Sequence, residues 1–215
     1  MKNLIIIGAG GFGREVAWLV EEINREKDTW NLLGFVDDDK LKHNTYINGY
    51  EVLGGLDILK KYPNIYVVCA VGNPKTKKII LDKINKYNIN YAILINPSVL
   101  KSKFVTIKEG SIVCAGTIIT TNIHIGKHVI INLDCTIGHD AVIEDYSTIL
   151  PSVNISGNVH VKEGVNIGTG TNIINNMGIG EWATIGAGAV VAKNIPSHCT
   201  AVGIPAKPIK YHEVY

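Results

Sequence analysis

The 215-residue sequence lacks any apolar run approaching the roughly 20 residues that a membrane-spanning helix needs. It also lacks a dominant charge: charged residues make up 19% of the chain, the net charge is +2, and lysines and arginines are scattered. This composition gives no basic surface for nucleic acid or for an anionic membrane. The four cysteines lie far apart without a C-x-x-C pair, so we expect reduced, mostly buried thiols in a cytoplasmic protein.

A period of six residues dominates the second half of the chain. Isoleucine or valine occupies fifteen successive positions six residues apart, from Ile107 to Val191, without an insertion or deletion. This spacing fits neither the helical period nor the strand period. It is the hexapeptide signature of a parallel β-helix, in which six residues form one short strand and one turn. Three strands close a triangular coil of 18 residues, and about five coils span 107–196.

Residues 1 to about 92 have a different pattern, which predicts a small Rossmann-like domain. The segment "NLIIIGAGGFGREVAWLV" is interpreted as a buried strand, a glycine-rich turn and a helix, and not as a signal peptide. Gly8, Gly10 and Gly13 match the dinucleotide-binding fingerprint, and "NLLGFVDDD", "IYVVCAVGNP" and "YAILINP" indicate further strands. Because a complete dinucleotide domain has two such halves, this one predicts a mononucleotide or nucleotide-sugar diphosphate and not NAD. A Rossmann-like adaptor without a ligand is the alternative.

Six residues of this domain are candidate substrate ligands. Backbone N–H groups of the glycine-rich turn would approach a diphosphate at the start of the helix, where the helix dipole attracts an anion. Acidic residues at the end of the second strand would accept hydrogen bonds from a ribose, although a solvated turn acid is an equal interpretation of Asp37. The candidates are Gly10, Gly11, Phe12, Asp37, Asp38 and Asn73.

The order of these motifs resembles one family. The segments "IIIGAGGFGREV", "GFVDDD" and "AVGNP", followed by a hexapeptide region ending in "GIPAKPIK", are similar to the NeuD-type sugar O-acetyltransferases over essentially the whole chain. That family includes bacillosamine-pathway and perosamine-type nucleotide-sugar N-acetyltransferases. The resemblance implies a left-handed β-helix, a homotrimer, a nucleotide-linked sugar on the N-terminal domain, and acetyl-CoA between adjacent β-helices. We expect a Rossmann-like domain over 1–92, a β-helix over 93–206 and a tail over 207–215.

The pair His139-Asp140 stands where the family has a catalytic histidine followed by an acidic residue. One coil of 18 residues further along, Gly157 holds the same position as His139, roughly 5 Å away if the coils have ordinary strand spacing. By resemblance, the N–H of Gly157 contacts the thioester carbonyl. Thr169 and Ala187, which also differ by 18, would line the path of CoA.

The chain departs from the family pattern at two positions. Thr148 is a candidate CoA ligand by resemblance, although the bacillosamine-type enzymes have a second histidine there, at the thioester end of CoA. Phe12 replaces a residue that is often smaller or polar. The second departure is expected to affect the choice of acceptor sugar. Support for the trimer comes from apolar residues at expected outward positions, namely Leu133, Leu150 and Ile174.

His139 is expected to act as a general base that takes a proton from an acceptor amine attacking acetyl-CoA, while Asp140 raises its basicity. This mechanism uses no metal. The predicted product is a nucleotide-linked, N-acetylated 4-amino sugar; O-acetylation of a sugar such as sialic acid and a non-catalytic nucleotide-sugar-binding trimer are the alternatives. His124 and His160 lie two coils apart, as in zinc-binding β-helices, but no third histidine follows at the required place.

Overall fold

A computed structural model describes residues 1–213, which form an α/β domain followed by a parallel β-helix. The N-terminal domain has six strands and two α-helices. Its elements are β1 (Lys2–Ile7), α1 (Gly11–Glu26), β2 (Trp30–Val36), β3 (Tyr46–Ile47), β4 (Tyr50–Gly54), β5 (Tyr66–Cys69), α2 (Pro74–Ile84) and β6 (Asn90–Tyr91). Two 3-10 helices, Lys40–Lys42 and Leu56–Lys61, lie in the connections.

The six strands form one sheet in the order β3-β4-β2-β1-β5-β6, and every pair except β3 with β4 is parallel. The two helices cover opposite faces of the sheet. Leu4 and Ile6 of β1 pack in one apolar cluster with α1, whereas Ile5 and Ile7 pack in another with α2. The strand order reverses at β1, because the chain continues to β2 on one side of β1 and later to β5 on the other. Open parallel sheets form a ligand crevice at such a point.

The β-helix begins at Leu94, and its strands stack into three parallel sheets, called faces 1, 2 and 3. Face 1 contains β7 (Leu94–Ile95), β10 (Ile112–Val113), β13 (Ile130–Ile131), β16 (Thr148–Ile149), β19 (Asn166–Ile167), β22 (Thr184–Ile185) and β24 (Cys199–Val202), with β25 (Lys207–Tyr211) added antiparallel. Face 2 contains β8 (Leu100–Lys101), β11 (Ile118–Ile119), β14 (Thr136–Ile137), β17 (Asn154–Ile155), β20 (Asn172–Ile173) and β23 (Val190–Val191). Face 3 contains β9 (Thr106–Ile107), β12 (His124–Ile125), β15 (Val142–Ile143), β18 (His160–Val161) and β21 (Gly178–Ile179).

The side chains of the six-residue repeat form the core of this helix. The isoleucine or valine is the second residue of each strand and points inwards; from Val113 to Val191 each is at most 2% exposed. Three residues later the chain turns a corner with a left-handed backbone, which asparagine, aspartate and glycine adopt at the lowest cost, as at Asp140 with φ +60°. Removal of the isoleucine stack from water stabilises the coils. The predicted Rossmann-like half followed by a left-handed parallel β-helix is confirmed.

Two segments differ from the sequence prediction. The segment "YAILINP" is not one strand, because Asn90–Tyr91 ends the N-terminal sheet and Leu94–Ile95 begins face 1. The β-helix itself starts at Leu94, inside the range 93–206 expected for it and two strands before the unbroken repeat begins at Ile107, because the exposed Lys101 interrupts the apolar repeat. Residues 207–211, predicted to be part of a tail, form β25 against β24, and residues 214–215 lie outside the described part of the chain.

The N-terminal domain packs on face 1. The outward residues Leu94, Ile112 and Ile130 of that face are at most 1% exposed, because they share an apolar cluster with β1 and α1. The two domains therefore share an apolar core, and this core holds the N-terminal sheet in place against face 1 of the β-helix. Across residues 1–213, no helix is both long and apolar enough to cross a membrane.

Candidate active site

His139 lies in the turn between β14 and β15, at the corner where face 2 meets face 3, called corner 2–3. Its Nδ1 lies 2.8 Å from Oδ2 of Asp140. Adjacent residues of a strand point in opposite directions, but the left-handed backbone of Asp140 turns its carboxylate back to the ring. The side chains are 66% and 52% exposed, so the Nε2 side of the ring is open to a substrate.

Gly157 lies beside the ring of His139, one coil further along. A Cβ atom at position 157 would lie 2.5 Å from Nε2 of His139, so only glycine leaves room for the ring in this orientation. The coils are in close register here, because the N–H of Asn158 donates to the carbonyl of His139 at 2.8 Å. The peptide N–H of Gly157 and the imidazole of His139 therefore belong to the same corner, as an acyl-transfer site requires.

Asp140 is held as a carboxylate. Its hydrogen bond with His139, and then the nearby amide of Asn122, keep the pKa of Asp140 below its ordinary value. A carboxylate that accepts from Nδ1–H fixes the imidazole tautomer in which Nε2 carries a free electron pair. The arrangement can therefore remove a proton from a nucleophile that approaches Nε2.

Thr169 and Ala187 are exposed, but they lie at a different corner from His139. Both follow strands of face 1, so they line the corner where face 1 meets face 2, called corner 1–2. The column at this corner, joined by backbone hydrogen bonds between successive coils, runs Leu133, Pro151, Thr169 and Ala187. Leu133 packs in the apolar cluster of the N-terminal domain, so the column begins beside that domain. Within one chain, face 2 separates the predicted path of CoA from the predicted base.

The assignment of Thr148 to CoA is corrected by its position. Thr148 is an outward residue of face 1 that α2 covers, and it is 1% exposed. Its Oγ1 accepts a 3.0 Å hydrogen bond from Nζ of Lys77, which is itself 1% exposed and lies 3.4 Å from the carbonyl of Ser147. Burial lowers the pKa of Lys77 to about 7. Sequence reasoning missed this contact, although Lys77 lies four residues before Leu81 on the buried stripe of α2.

Asp37 and Asp38 line a cleft of about 290 Å³ at the carboxyl ends of β1 and β2, together with Gly8 and with Thr76 of α2. The carboxylate of Asp37 accepts a 2.8 Å hydrogen bond from the N–H of Ala9 and lies 3.2 Å from Nζ of Lys42. Burial alone would raise the pKa of Asp37, but the backbone donors and Lys42 together hold it below its ordinary value. The carboxylate of Asp37 therefore lies in a cleft at the point where the strand order of the sheet reverses.

The glycine-rich turn separates this cleft from a second one. Gly10 caps α1, and Gly11 lines a cleft of about 380 Å³ with Arg14 and Trp18 on the exposed side of α1. The turn requires glycine at position 13, where a Cβ atom would overlap the carbonyl oxygen of Gly8. The predicted diphosphate ligands Gly10 and Gly11 thus lie next to the Asp37 cleft but do not line it.

The remaining two candidates have structural contacts of their own. Phe12 is half-buried in the apolar cluster that the two domains share, so its ring packs at the domain junction. Asn73 is exposed and caps α2, since its Oδ1 accepts a 3.0 Å hydrogen bond from the N–H of Thr76.

The other histidines and the cysteines have contacts outside this site. Nε2 of His160 lies 2.6 Å from Oε1 of Glu144 on the surface of face 3. In the part of the chain that the structure describes, no three His, Cys, Asp or Glu side chains are grouped to hold a metal ion. The four cysteines are all buried free thiols.

A histidine–aspartate pair at the corner of a hexapeptide β-helix, attached to a domain with a cleft at the reversal point of its parallel sheet, is typical of the class of β-helical sugar acyltransferases. The chain belongs to the family of acetyl-CoA-dependent sugar N-acetyltransferases represented by GDP-perosamine N-acetyltransferase. The protein of that name from Escherichia coli O157:H7 is 32% identical over 214 residues, which cover 95% of each chain. Residues 3–84 match the family model of the PglD N-terminal domain.

Solved structures agree with this assignment. The acetyltransferase domain of PglB from Neisseria gonorrhoeae FA1090 has a TM-score of 0.88 and 30% identity, covering 97% of this chain and 100% of that one. The same domain in complex with acetyl coenzyme A matches with a TM-score of 0.88 and 30% identity, over 97% of this chain and 99% of that one. A variant of perosamine N-acetyltransferase from Caulobacter crescentus, in complex with CoA and GDP-perosamine, has a TM-score of 0.87 and 26% identity over 98% of each chain. The family resemblance inferred from the sequence is confirmed.

Proposed function

We propose that this protein transfers the acetyl group of acetyl-CoA to the amine of a nucleotide-activated 4-amino sugar. The observation that carries the proposal is the pairing of Nδ1 of His139 with Asp140, which leaves Nε2 free beside Gly157. The cleft at Asp37 on the attached domain supplies a place for the nucleotide. The relatives from E. coli and C. crescentus are named for GDP-perosamine, which makes that compound the first acceptor to test.

The chemistry follows from the free electron pair on Nε2 of His139. As the sugar nitrogen attacks the thioester carbonyl, a C–N bond forms and Nε2 takes the amine proton. The N–H of Gly157 donates to the oxyanion of the tetrahedral intermediate. Collapse of the intermediate breaks the C–S bond, and the imidazolium returns its proton to the CoA thiolate. Asp140 stabilises the imidazolium during the interval.

A homotrimer is part of the proposal, because one chain divides the site between two corners. The predicted base is at corner 2–3, whereas Thr169 and Ala187 are at corner 1–2. Corner 2–3 is also opposite face 1, which carries the N-terminal domain. Contact between corner 2–3 of one copy and corner 1–2 of the next brings these parts together, and repetition around a threefold axis closes the assembly.

The same proposal includes three further points from the sequence. The 1–92 domain binds the nucleotide sugar, with Gly10, Gly11, Phe12, Asp38 and Asn73 among its ligands. The β-helix over 93–206 binds acetyl-CoA. A cytoplasmic location fits the four buried free thiols, since reducing compartments keep cysteines unpaired. O-acetylation of a free sugar is the outcome that would replace N-acetylation.

Substitution of His139 tests the proposed base. His139→Ala should lower kcat by roughly two to four orders of magnitude with GDP-perosamine as acceptor, because a general base acts on the transition state. The KM for acetyl-CoA should change little. Asp140→Asn should lower kcat less than His139→Ala does. Release of the CoA thiol measures kcat and KM in the wild type and in both variants. A His139→Ala enzyme with most of its activity would show that another group is the base.

Substitution of Asp37 tests the acceptor site. Asp37→Ala should raise the KM for GDP-perosamine about tenfold or more, since it removes both a ribose acceptor and the anchor of the Ala9 N–H. The KM for acetyl-CoA should stay unchanged. Asp37→Asn retains an acceptor oxygen, so its KM for GDP-perosamine should lie between those of the wild type and Asp37→Ala. Equal KM values in all three proteins, with a free sugar as the better substrate, would instead support O-acetylation.

A further inference from the structure

Two buried basic side chains lie at the domain junction, and the proposed reaction uses neither. Lys77 of α2 is 1% exposed, and its amine donates to Oγ1 of Thr148 and to the carbonyl of Ser147 on face 1. His128 is 5% exposed at the corner where face 3 meets face 1, and its Nδ1 has no hydrogen-bond partner within residues 1–213. An unpaired charge in such a place costs much free energy, so burial disfavours the protonated form of both side chains.

The groups around this pair explain why both side chains lose a proton more readily than they would in water. Burial lowers the pKa of His128 to about 4, with a further contribution from Lys77, and burial lowers that of Lys77 to about 7. The thiol of Cys69 on β5 faces Lys77, but burial raises the pKa of this thiol to about 11, so it supplies no negative charge near neutrality. The groups that face His128 are Tyr91, Tyr146, Glu109, Asp145 and Lys127.

The helix that carries Lys77 is also a wall of the nucleotide cleft. Thr76, the preceding residue, and Ile79 and Lys83, on later turns, line the cleft with Asp37. Any shift of α2 on face 1 therefore moves that wall relative to Asp37. The amine of Lys77 joins this helix to face 1 through hydrogen bonds to Oγ1 of Thr148 and to the carbonyl of Ser147.

We propose that Lys77 is a positioning residue for the acceptor: in its uncharged form it holds α2 on face 1 through Thr148, and protonation loosens this contact. The proposal rests on the proposed function in so far as the Asp37 cleft is taken as the acceptor site. It makes the position of the cleft wall sensitive to pH near neutrality.

Hydrogen exchange of the α2 amides, Pro74–Ile84, tests the contact without any ligand. Local opening should become about 30-fold easier between pH 8.5 and pH 6, after correction for intrinsic exchange, because the open state restores a pKa of 10.5 to Lys77. Lys77→Met keeps the aliphatic stem without the titrating amine, so its opening should not change with pH. Lys78→Met, one residue on, removes an exposed amine paired with Asp82 and should behave like the wild type. Equal pH dependence in wild type and Lys77→Met would overturn the proposal.

Kinetics test the positioning role. Lys77→Met and Thr148→Val should each raise the KM for GDP-perosamine about three- to tenfold while the KM for acetyl-CoA and kcat stay within about twofold. The double variant should be no worse than either single one, because both remove the same contact. Additive effects, or equal changes in both KM values, would contradict the role. If the wild type does not acetylate GDP-perosamine, the proposed acceptor is wrong, while hydrogen exchange in Thr148→Val and Lys77→Met still decides the contact.

Discussion

At the residue scale, the candidate site depends on how His139 and Gly157 share one corner. The imidazole leans over the next coil, and the absence of a side chain at Gly157 is what gives it that space. The carboxylate of Asp140 holds the other side of the ring at 2.8 Å. The orientation of the proposed base is therefore set from both sides, by a hydrogen bond and by a steric limit, which suits a group that must meet a bound amine.

Gly157→Ala should separate the orientation of the base from its chemistry. The new methyl group would displace the ring and lower kcat by roughly 10²-fold, since a misplacement of about 1 Å costs that much. The melting temperature should change little, because His139 is exposed and can rotate away. Gly178→Ala is the matched control on face 3, where the added Cβ would meet Oδ1 and Cγ of Asn194 at 3.6 and 3.9 Å, which are ordinary contacts. Full activity in Gly157→Ala would show that the observed ring position is not the one used in catalysis.

At the scale of elements, the six-residue repeat predicted the β-helix because each inward position had to be apolar for the coils to close. The repeat is broken at Lys101, which takes the place of the inward isoleucine in the first coil. That coil is partly exposed, so a lysine is tolerated there. The six-residue period also does not show at which corner a residue lies, because only residues 18 apart return to the same corner. His139 and Thr169 are 30 residues apart, so they share a position in the repeat but lie at different corners. The burial of Lys77 follows from how α2 docks on face 1, which the sequence of either element does not contain.

The domain junction should make stability fall in acid through His128. Its folded pKa of about 4 is below its ordinary 6.5, so the unfolded chain takes up the proton first as pH falls. Stability contributed by the neutral ring is therefore present above pH 6.5 and lost towards pH 4, by about 3 kcal/mol. Urea unfolding of His128→Phe, which retains a ring between Tyr91 and Tyr146, should show a smaller loss over this range. A loss as large as in the wild type would assign the acid sensitivity to other groups.

At the scale of the whole molecule, face 2 is a barrier within each chain. Its three middle outward residues are polar and bonded to one another: Thr136 donates to Oδ1 of Asn154 at 2.7 Å, and Asn154 donates to Oδ1 of Asn172 at 3.1 Å. In these three coils the ladder lies between corner 1–2 and corner 2–3. In the proposed homotrimer, CoA at Thr169 and Ala187 of one copy meets the His139 of a neighbouring copy, so the proposed site is complete only in the assembly.

Complementation between two defective variants tests this shared site. His139→Ala removes the base, and Ala187→Trp should block the path of CoA at the exposed position 187. Each variant alone should have little activity. When both variants are co-expressed in equal amounts and assemble at random, about a quarter of all interfaces combine an intact His139 with an intact Ala187 from the next copy, so about a quarter of the wild-type activity should return. Mixing preformed trimers, which cannot exchange chains on the time scale of the assay, is the control and should give no gain. Co-expressed trimers as inactive as the separate variants would mean that one chain holds the complete site.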